Sequence, residues 1–483
     1  MSIIQSDFFK NVINSGHFTI INEGPIHSPV SEIKVDRDKK LNIILTTTST
    51  SNSSSKSIQQ PPGTVRINND SIDMKCTFGW YAKLNGVQPF SNTTTRDINS
   101  NSVRTELTSI SSLEAKIEGA ADGEYLIEWL ENADDGYYMW PDSVEIDIVK
   151  NTTISLGRGA KKIEMKEKSE SLSMKVSSIF VSIGGHELYL VSSREDTKSL
   201  GVKSGYLLYL GTPCDETRKK IRNCLSFVLG RPLIKTGYSV FDLNWNIISF
   251  KAISAYTMGE SAFSIHTSPP APLGNKHQRE LDPIIVSSLA NSIYEKYEEY
   301  DFGRLSWAYW HAISAPVHIA AVHFGACIES LQSSYIKIHG KLFSSALLEK
   351  SQWVKFREGV LDVLDSIELE GVERQVIENK ITSFNQSPQN VLTERFLNSL
   401  GISFSDAEKA AWQQRNNAAH GNEVEEGNQI KLIRDLKILK VIFHRVFLSA
   451  IGGGAQYIDY YSIGFPNKLL TESCEKMPIS ALN

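Results

Sequence analysis

Ser268-Pro-Pro-Ala-Pro-Leu-Gly274 separates two parts of the 483-residue chain that differ in character. Its three prolines cannot donate backbone hydrogen bonds, so this stretch is disfavoured in a helix interior and in a sheet ladder. The sequence before it has the two-residue periodicity of strands, and the sequence after it has the three- and four-residue spacing of helices. We therefore predict an α+β fold, with a β-rich, sandwich-like region over residues 1–270 followed by an all-α helical bundle.

Two patterns in the first half predict individual elements. Residues 179–183 and 188–191 read as strands on either side of Gly184-Gly185, and paired glycines supply the positive φ angles of a tight hairpin turn. A single helix is predicted to begin near Pro213 and to end at Gly230. A polar run from Thr46 to Gly63 lacks apolar periodicity, and we predict a flexible loop over about residues 46–63.

The second half is predicted to form a helical domain over residues 280–450, followed by a C-terminal tail over 451–483. A long helix is expected from about residue 307 to 338, with a kink at Pro316. Ser405-Asp-Ala-Glu408 is a capping-box signature, because the serine oxygen and the glutamate side chain can each satisfy a backbone donor of the first turn. The helix that it opens is predicted to end at His420, where Gly421 can adopt the left-handed cap.

The composition is that of an ordinary globular chain, with 41% hydrophobic residues, 22% charged residues and a net charge of -5. This balance excludes nucleic-acid binding by bulk positive charge and leaves a local basic groove for such a ligand. The five cysteines include no CxxC pair, which argues against a disulfide framework and fits a reducing compartment. Residues 1–10 lack the basic start and apolar core of a secretory signal, so we expect a cytoplasmic location.

The stretch 305–328 contains no Lys, Arg, Asp or Glu and is long enough to span a bilayer. Its polar content, including His311, His318, His323 and Pro316, would be costly in lipid, so we interpret it as buried helix and expect no membrane partner. The three histidines lack the further ligands that zinc requires. We predict that they are core residues, and we expect neither a metal nor another cofactor.

The segment with the strongest chemical content is Arg415-Asn416-Asn417-Ala418-Ala419-His420-Gly421. RNA carries its own nucleophile, the 2′-OH, so cleavage needs no metal if a base removes that proton and a cation meets the phosphate charge. His420 can act as the acid or base and Arg415 as the cation. Five residues turn a helix by about 140°, so the two side chains converge only if His420 swings from the helix end or two protomers contribute. Asn416 shares a face with His420 and is predicted to orient its imidazole.

This segment resembles the Arg-x4-6-His motif of the HEPN superfamily, with a polar residue after the arginine and small residues before the His-Gly ending. Gly325-Ala-Cys-Ile-Glu329-Ser-Leu331 is similar to an early helix of that superfamily, and the order of a β-rich half and a helical half looks like the ApeA-like HEPN proteins of bacterial anti-phage defence. Arg304-x6-His311 also fits the bare pattern, but it lacks these neighbours, and we interpret it as a chance match.

The resemblance implies a HEPN-like helical bundle with endoribonuclease activity, in which two motifs meet across a twofold axis. It therefore implies a homodimer through the helical domain that cleaves RNA, with tRNA as one candidate substrate, in abortive anti-phage defence. The β-rich half would sense a phage-derived trigger protein or restrain the nuclease. Glu329 would orient or charge His420 or Arg415, and its alternative interpretation is a structural ion pair with another basic residue.

The basic side chains of the last predicted helix are the candidate RNA-binding residues, since phosphate contacts position a nucleic acid without specifying its sequence. A solvated helix face explains them equally well. They are Lys431, Arg434, Lys437 and Lys440.

Two alternatives to a nuclease remain open at this point. The first is a non-catalytic HEPN module that binds RNA or protein, with tryptophans of the β-rich half on the binding face or, as the simpler interpretation, in the core. These tryptophans are Trp80, Trp129, Trp140 and Trp245. The second alternative is the toxin of a toxin–antitoxin pair, silenced by a partner protein.

Overall fold

The protein is represented by a computed structural model that describes residues 7–14, 17–22, 26, 29–49, 70–95, 103–133, 136–150, 153–156, 163–166, 170–197, 202–254, 265, 268–275, 279–340, 346–419 and 429–475. Antiparallel strands dominate the first part of the chain and helices dominate the second, which confirms the predicted α+β fold class. The chain divides into two compact units: residues 1–269 with 273–294, and residues 270–272 with 295–483.

The β-rich unit contains twenty described strands and three helices. The strands are β1 (Phe18–Asn22), β2 (Val30–Arg37), β3 (Ile43–Ser49), β4 (Ser71–Cys76), β5 (Trp80–Asn85), β6 (Gln88–Thr95), β7 (Val103–Ile110), β8 (Ser112–Ile117), β9 (Tyr125–Glu131), β10 (Val144–Lys150), β11 (Thr153–Leu156), β12 (Ile163–Lys166), β13 (Glu170–Val176), β14 (Ser178–Ile183), β15 (His186–Thr197), β16 (Val202–Tyr209), β17 (Ile234–Phe241), β18 (Ile247–Ile253), β19 (Gly274–Asn275) and β20 (Glu280–Leu281). The helices are α1 (Phe8–Ile13), α2 (Asp215–Leu229) and α3 (Pro283–Glu295).

Two antiparallel sheets form the centre of this unit. The larger has the strand order β1-β4-β5-β8-β18-β17-β9-β16-β15-β14, and the smaller has the order β2-β3-β7-β6. Both sheets contribute to one buried hydrophobic cluster, for example through Val35 and Leu45 of the smaller sheet and Met74, Leu84 and Leu113 of the larger. Burial of these alternating apolar side chains is what favours this sandwich-like arrangement.

The predicted hairpin and helix of the β-rich half are both present. Strands β14 and β15 meet at Gly184 and Gly185, whose φ angles of 58° and 78° lie in the left-handed region. Helix α2 ends at Gly230, which has a φ of 69°. The helix nearest to the predicted boundary, α3, belongs with this unit, because Asn291 binds the backbone of the β14–β15 hairpin at Ser182 and Gly184.

The polar run that was predicted to be a loop begins inside a strand. Strand β3 continues through Ser49, and Thr47 and Ser49 are buried in alternation with more exposed neighbours. Threonine is β-branched and packs well on a pleated surface, so the prediction of a loop is wrong for residues 46–49. Residues 50–63 lie outside the described part of the chain.

The second unit is helical, with one small hairpin near its end. Its elements are α4 (Phe302–Ser314), α5 (Val317–Ile338), α6 (Lys350–Asp365), α7 (Gly371–Ser383), α8 (Gln389–Ser399), α9 (Asp406–Ala419), α10 (Gln429–Ile451), β21 (Gln456–Ile458) and β22 (Asn467–Leu469). Helix α5 packs against α4, α9 and α10, and α9 also packs against α10. Stacked aromatic pairs such as Tyr309–Phe443 and Phe302–Phe447 lie in this core. None of the helices in the described residues is both long and apolar enough to cross a membrane.

The long helix expected from residue 307 to 338 is two helices. Helix α4 ends at Ser314 and α5 begins at Val317, with Ala315 and Pro316 both extended at ψ angles of 147° and 143°. The proline ring disfavours helical backbone at the residue before it, which here produces a complete break where a kink was predicted.

The predicted capping box opens α9. The backbone N–H of Ser405 donates to Glu408 Oε2 at 2.9 Å, and the N–H of Glu408 donates to Ser405 Oγ at 3.3 Å. Glu408 has a second role that the pattern did not predict, because its carboxylate also accepts a hydrogen bond from the fully buried Arg445 of α10. The segment after α10 also contacts this pair through its backbone. The N–H of Cys474 donates to Glu408 Oε1, and the C=O of Leu470 accepts a hydrogen bond from Arg445 Nε.

Candidate functional site

Arg415 lies in the last part of α9 and reaches the neighbouring helix α5. Its Nη1 donates to Glu329 Oε1 at 2.5 Å, and its guanidinium carbon lies 3.8 Å from the ring centroid of Trp412, one turn earlier on α9. The Arg415 side chain is 13% exposed and the Glu329 side chain 41% exposed, so this ion pair opens to solvent on the carboxylate side. A carboxylate and an aromatic face together hold the guanidinium in one orientation.

Gly325 provides the space through which Arg415 passes over α5. A Cβ atom at this position would lie 2.8 Å from Cδ of Arg415, closer than van der Waals contact allows. Gly325 and Glu329 are four residues apart and therefore share one face of α5. The glycine and the glutamate together form the surface of α5 on which the arginine lies, here called the Arg415 seat.

The hydrogen bonds of the Arg415 guanidinium are only partly accounted for. Nη1 donates to Glu329, and the buried Nε has no hydrogen-bond partner among the described residues. Arginine carries five N–H donors in a planar fork that matches phosphate as well as carboxylate.

The side chains of the other two motif residues, Asn416 and His420, lie outside the described part of the structure. Asn416 is within α9, but its side chain is outside the described part of the structure, and His420 lies outside it altogether. Glu329 has Arg415 as its partner, which is one of the two contacts that the family resemblance implied. The catalytic roles of all four residues remain predictions.

The candidate RNA-binding residues do not share one face of α10. Each three-residue step from Lys431 to Lys440 turns the helix back by about 60°, so the first and last of them point in opposite directions. Lys431 and Lys437 are exposed and Arg434 is half-buried. Lys440 lies 5.4 Å from the ring centroid of Tyr460, and burial, together with the charge of Lys437, lowers its pKa to about 8.

A buried polar pair that the sequence reasoning missed lies further along α10. His444 Nε2 is 2.9 Å from the hydroxyl of Tyr309 on α4, and both side chains are buried. Burial, reinforced by the charge of Lys440, holds the pKa of His444 well below its usual value of 6.5. The sequence contains a pattern that indicates this burial. Apolar residues lie on both sides of His444 and Arg445, which favours a position in the core for these two basic residues rather than on a basic surface.

Two of the three histidines of the stretch 305–328 are not core residues. His311 is exposed, its ring centroid lies 3.8 Å from that of Trp307 with the rings tilted, and its Nδ1 is 2.8 Å from the Trp307 carbonyl oxygen. His318 is exposed and His323 is half-buried, so the prediction of core packing is wrong for the first two. In the part of the chain that the structure describes, no three His, Cys, Asp or Glu side chains are grouped to hold a metal ion.

Three of the four tryptophans considered as binding residues pack in the core of the β-rich unit. Trp80, Trp129 and Trp140 are buried. Trp245 is 38% exposed and stacks on Tyr125 with ring centroids 4.5 Å apart and planes 2° from parallel. Ordinary core packing therefore describes the first three.

Comparison of the chain with protein-family models, with curated proteins and with solved structures found no match.

Proposed function

We propose that the protein is a metal-independent endoribonuclease of the HEPN type, with the end of α9 as its catalytic segment. The observation that supports this most directly is the Arg415 seat. A cation at the required spacing from His420 is held in one position by Gly325, Glu329 and Trp412. A positioned guanidinium can stabilise charge that develops on a phosphate without reorganising during the reaction.

The proposed reaction is transesterification within the RNA strand. One His420 imidazole, acting as base, takes the 2′-OH proton, and the 2′ oxygen attacks the adjacent phosphorus while the bond to the 5′ oxygen breaks. The leaving oxygen takes a proton from an acid, for which the partner copy's own motif is the candidate in a composite site. The products are a 2′,3′-cyclic phosphate and a 5′-OH. Glu329 holds the guanidinium of Arg415 in place, and Asn416 orients the imidazole.

Substrate binding is assigned to the accessible basic residues of α10. Lys431, Arg434 and Lys437 can contact phosphates, whereas Lys440 is turned toward Tyr460. The proposed biological role is abortive anti-phage defence, in which the β-rich unit senses a phage-derived trigger protein or restrains cleavage. A cytoplasmic location and a homodimer belong to the same proposal.

Cleavage of purified RNA by the full chain in the presence of a chelator tests this proposal. We expect His420→Ala to lower the cleavage rate by about 10²- to 10⁴-fold, which is the usual contribution of a general acid or base. Arg415→Lys should also lower it, because a lysine keeps the charge but loses the planar fork. The matched control is His311→Ala in the chance match. End-group analysis should show 2′,3′-cyclic phosphates, and an undiminished rate for His420→Ala would refute the assignment.

A non-catalytic binding module is the second candidate, and one observation favours it. Arg415 is largely enclosed by protein contacts, as a purely structural arginine would be. In this case the purified chain would protect RNA from an added nuclease and would never cut it. Toxicity on expression alone, relieved by a neighbouring gene product, would instead favour the toxin of a toxin–antitoxin pair.

A further inference from the structure

Residues 270–272 belong to the helical unit, although the chain on both sides of them belongs to the β-rich unit. These three residues are here called the linker segment. Pro270 and Ala271 are buried, and the backbone N–H of Ile458 on β21 donates to the C=O of Pro270 at 3.3 Å. The place where the chain first enters the helical unit is therefore held by the hairpin that follows α10.

Asp459, the next residue after Ile458, is fully buried and has several partners. Its Oδ2 accepts from Ser462 Oγ at 2.6 Å and lies 2.9 Å from Lys468 Nζ, and its Oδ1 lies 3.6 Å from Cys474 Sγ. Burial alone would raise the pKa of Asp459, but the hydrogen bonds from Ser462 and Lys468 hold it below its ordinary value. A buried charge is tolerated only with its partners in place, so Asp459 ties Ile458 to Cys474.

Cys474 connects the same contacts to the start of α9. Its N–H donates to Glu408 Oε1 at 3.2 Å, and its C=O accepts from Ser405 Oγ at 2.5 Å. Ser405 and Glu408 form the capping box of α9, and Arg415 lies about two turns further along this helix. A continuous set of contacts therefore runs from the linker segment, through residues 456–474, to the helix that carries Arg415.

We propose that residues 456–474 form a regulatory strap, which transmits a change at the linker segment to α9 and thereby to Arg415. This inference rests on the proposed function, because it concerns the control of the same site. The linker segment is covalently joined to the β-rich unit, so a partner that binds that unit can act on it. Release of Pro270 from Ile458 loosens the contacts of Asp459, and Cys474 then holds the first turn of α9 less firmly. Networks of hydrogen bonds with a bound and a released arrangement carry coupling of this kind.

Amide hydrogen exchange of the full chain tests the strap without RNA. Pro270→Gly gives the linker segment more backbone freedom and removes a buried ring. We expect the amides of residues 408–412 in α9 to exchange faster than in the parent by about fivefold or more, the lower end of the usual coupling between sites. The matched control is Pro388→Gly, at the exposed residue before α8, which should leave the exchange of α9 unchanged. Parent-like exchange of α9 in Pro270→Gly would overturn the proposal.

Asp459→Asn tests whether the coupling passes through the strap. The substitution leaves Lys468 without its counter-ion and should accelerate exchange of the same α9 amides. Because both substitutions act on one path, adding Pro270→Gly to it should accelerate exchange little further. Ser462→Ala removes one hydrogen bond to the same carboxylate and replaces Asp459→Asn if circular dichroism shows that this variant is unfolded. Fully additive effects of the two substitutions would exclude the strap as the path.

RNA cleavage separates this inference from the proposed function. If the parent cleaves RNA, Pro270→Gly should lower the rate by about fivefold or more, and Pro388→Gly should not lower it. Faster exchange of α9 with a parent-like cleavage rate would overturn the regulatory role of the strap. A parent chain that cleaves no RNA would refute the proposed function, and the exchange measurements would still decide whether the linker segment and α9 are coupled.

Discussion

At the scale of single residues, the position of Arg415 depends on a missing side chain as much as on present ones. Trp412 and Glu329 hold the guanidinium, but the path of the arginine stem is open only because residue 325 has no Cβ. A glycine in the interior of a helix costs about 1 kcal/mol relative to alanine. Gly325 therefore lowers the stability of helix α5, but it allows the Arg415 side chain to take its defined position.

Gly325→Ala should consequently lower RNA cleavage more than it lowers stability. The added methyl group displaces the Arg415 stem, and misplacement of a catalytic group by about 1 Å lowers the rate by up to about 100-fold. The gain in helix propensity offsets part of the steric cost. Cleavage rates and thermal unfolding of the same preparations measure the two effects.

Gly359→Ala is the matched control. Gly359 lies within α6, and a Cβ there meets no atom within 4 Å. We expect this variant to gain about 0.5–1 kcal/mol of stability with no change in cleavage. Equal cleavage rates for the parent and Gly325→Ala would show that cleavage does not depend on the position of the Arg415 side chain.

Only part of this site could be predicted from the sequence. Arg415 and His420 stand out because their spacing and neighbours are local properties of the chain. The roles of Gly325 and Trp412 required the three-dimensional structure, since the contact between Gly325 and Arg415 joins residues ninety positions apart. The burial of His444 could have been predicted, because apolar residues lie on both sides of it in α10.

At the scale of elements, α9 is fixed at its start by a buried ion pair. The side chains of Glu408 and Arg445 are both inaccessible to solvent, and Glu408 also completes the capping box with Ser405. Two charges removed from water are tolerated only while each has its partner. The first turn of α9, the middle of α10 and the segment at residues 470–474 are thus held by one set of hydrogen bonds.

Glu408→Gln should destabilise the helical unit by about 3–5 kcal/mol, because it leaves Arg445 charged and buried without its counter-ion. Denaturant unfolding measures the change. The matched control is Glu378→Gln, which breaks the surface pair between Arg374 and Glu378 and should leave the free energy of unfolding almost unchanged. Similar losses for the two variants would contradict the assignment of the Glu408 pair as a buried one.

Local elements were the part of the fold that the sequence predicted well. The ends of α2, the β14–β15 hairpin and the capping box of α9 each depend on a few adjacent residues, and all three are present. The sheet order could not be predicted, because β8 pairs with β18 more than a hundred residues later in the chain. The break before α5 was underestimated, since proline position alone does not distinguish a kink from a complete interruption.

At the scale of the whole molecule, each unit has its own core. The two sheets of the β-rich unit share one hydrophobic cluster, and the helical unit is built on the aromatic residues of α4, α5 and α10. Chains with two such cores do not in general unfold in a single two-state step. We therefore expect two unfolding transitions, each sensitive to substitutions in its own unit.

Lowering the pH should destabilise the helical unit because of His444. This contribution should be absent from the unfolding transition of the β-rich unit. The pKa of this residue is depressed in the folded state, so below about pH 6.5 the unfolded chain binds a proton that the folded chain does not. Above the pKa of the unfolded chain, His444 does not change the free energy of unfolding with pH. Below that pKa, the free energy of unfolding falls by at most ~1.4 kcal/mol per pH unit because of His444. His444→Gln should flatten this dependence between about pH 7 and pH 5.5.

Calorimetric scans of the parent and of His444→Gln at several pH values give the slopes directly. An unchanged slope for His444→Gln would mean that folding does not lower the pKa of this imidazole.

The hydrogen bonds from residues 470–474 to Arg445 and Glu408 have a consequence for synthesis of the protein. During translation α9 and α10 leave the ribosome first, while the groups that satisfy their buried charges are still in the exit tunnel. The bundle around Arg415 is therefore completed only after translation has passed residue 474. A nascent chain that has not reached this residue lacks both backbone contacts to the Glu408–Arg445 pair.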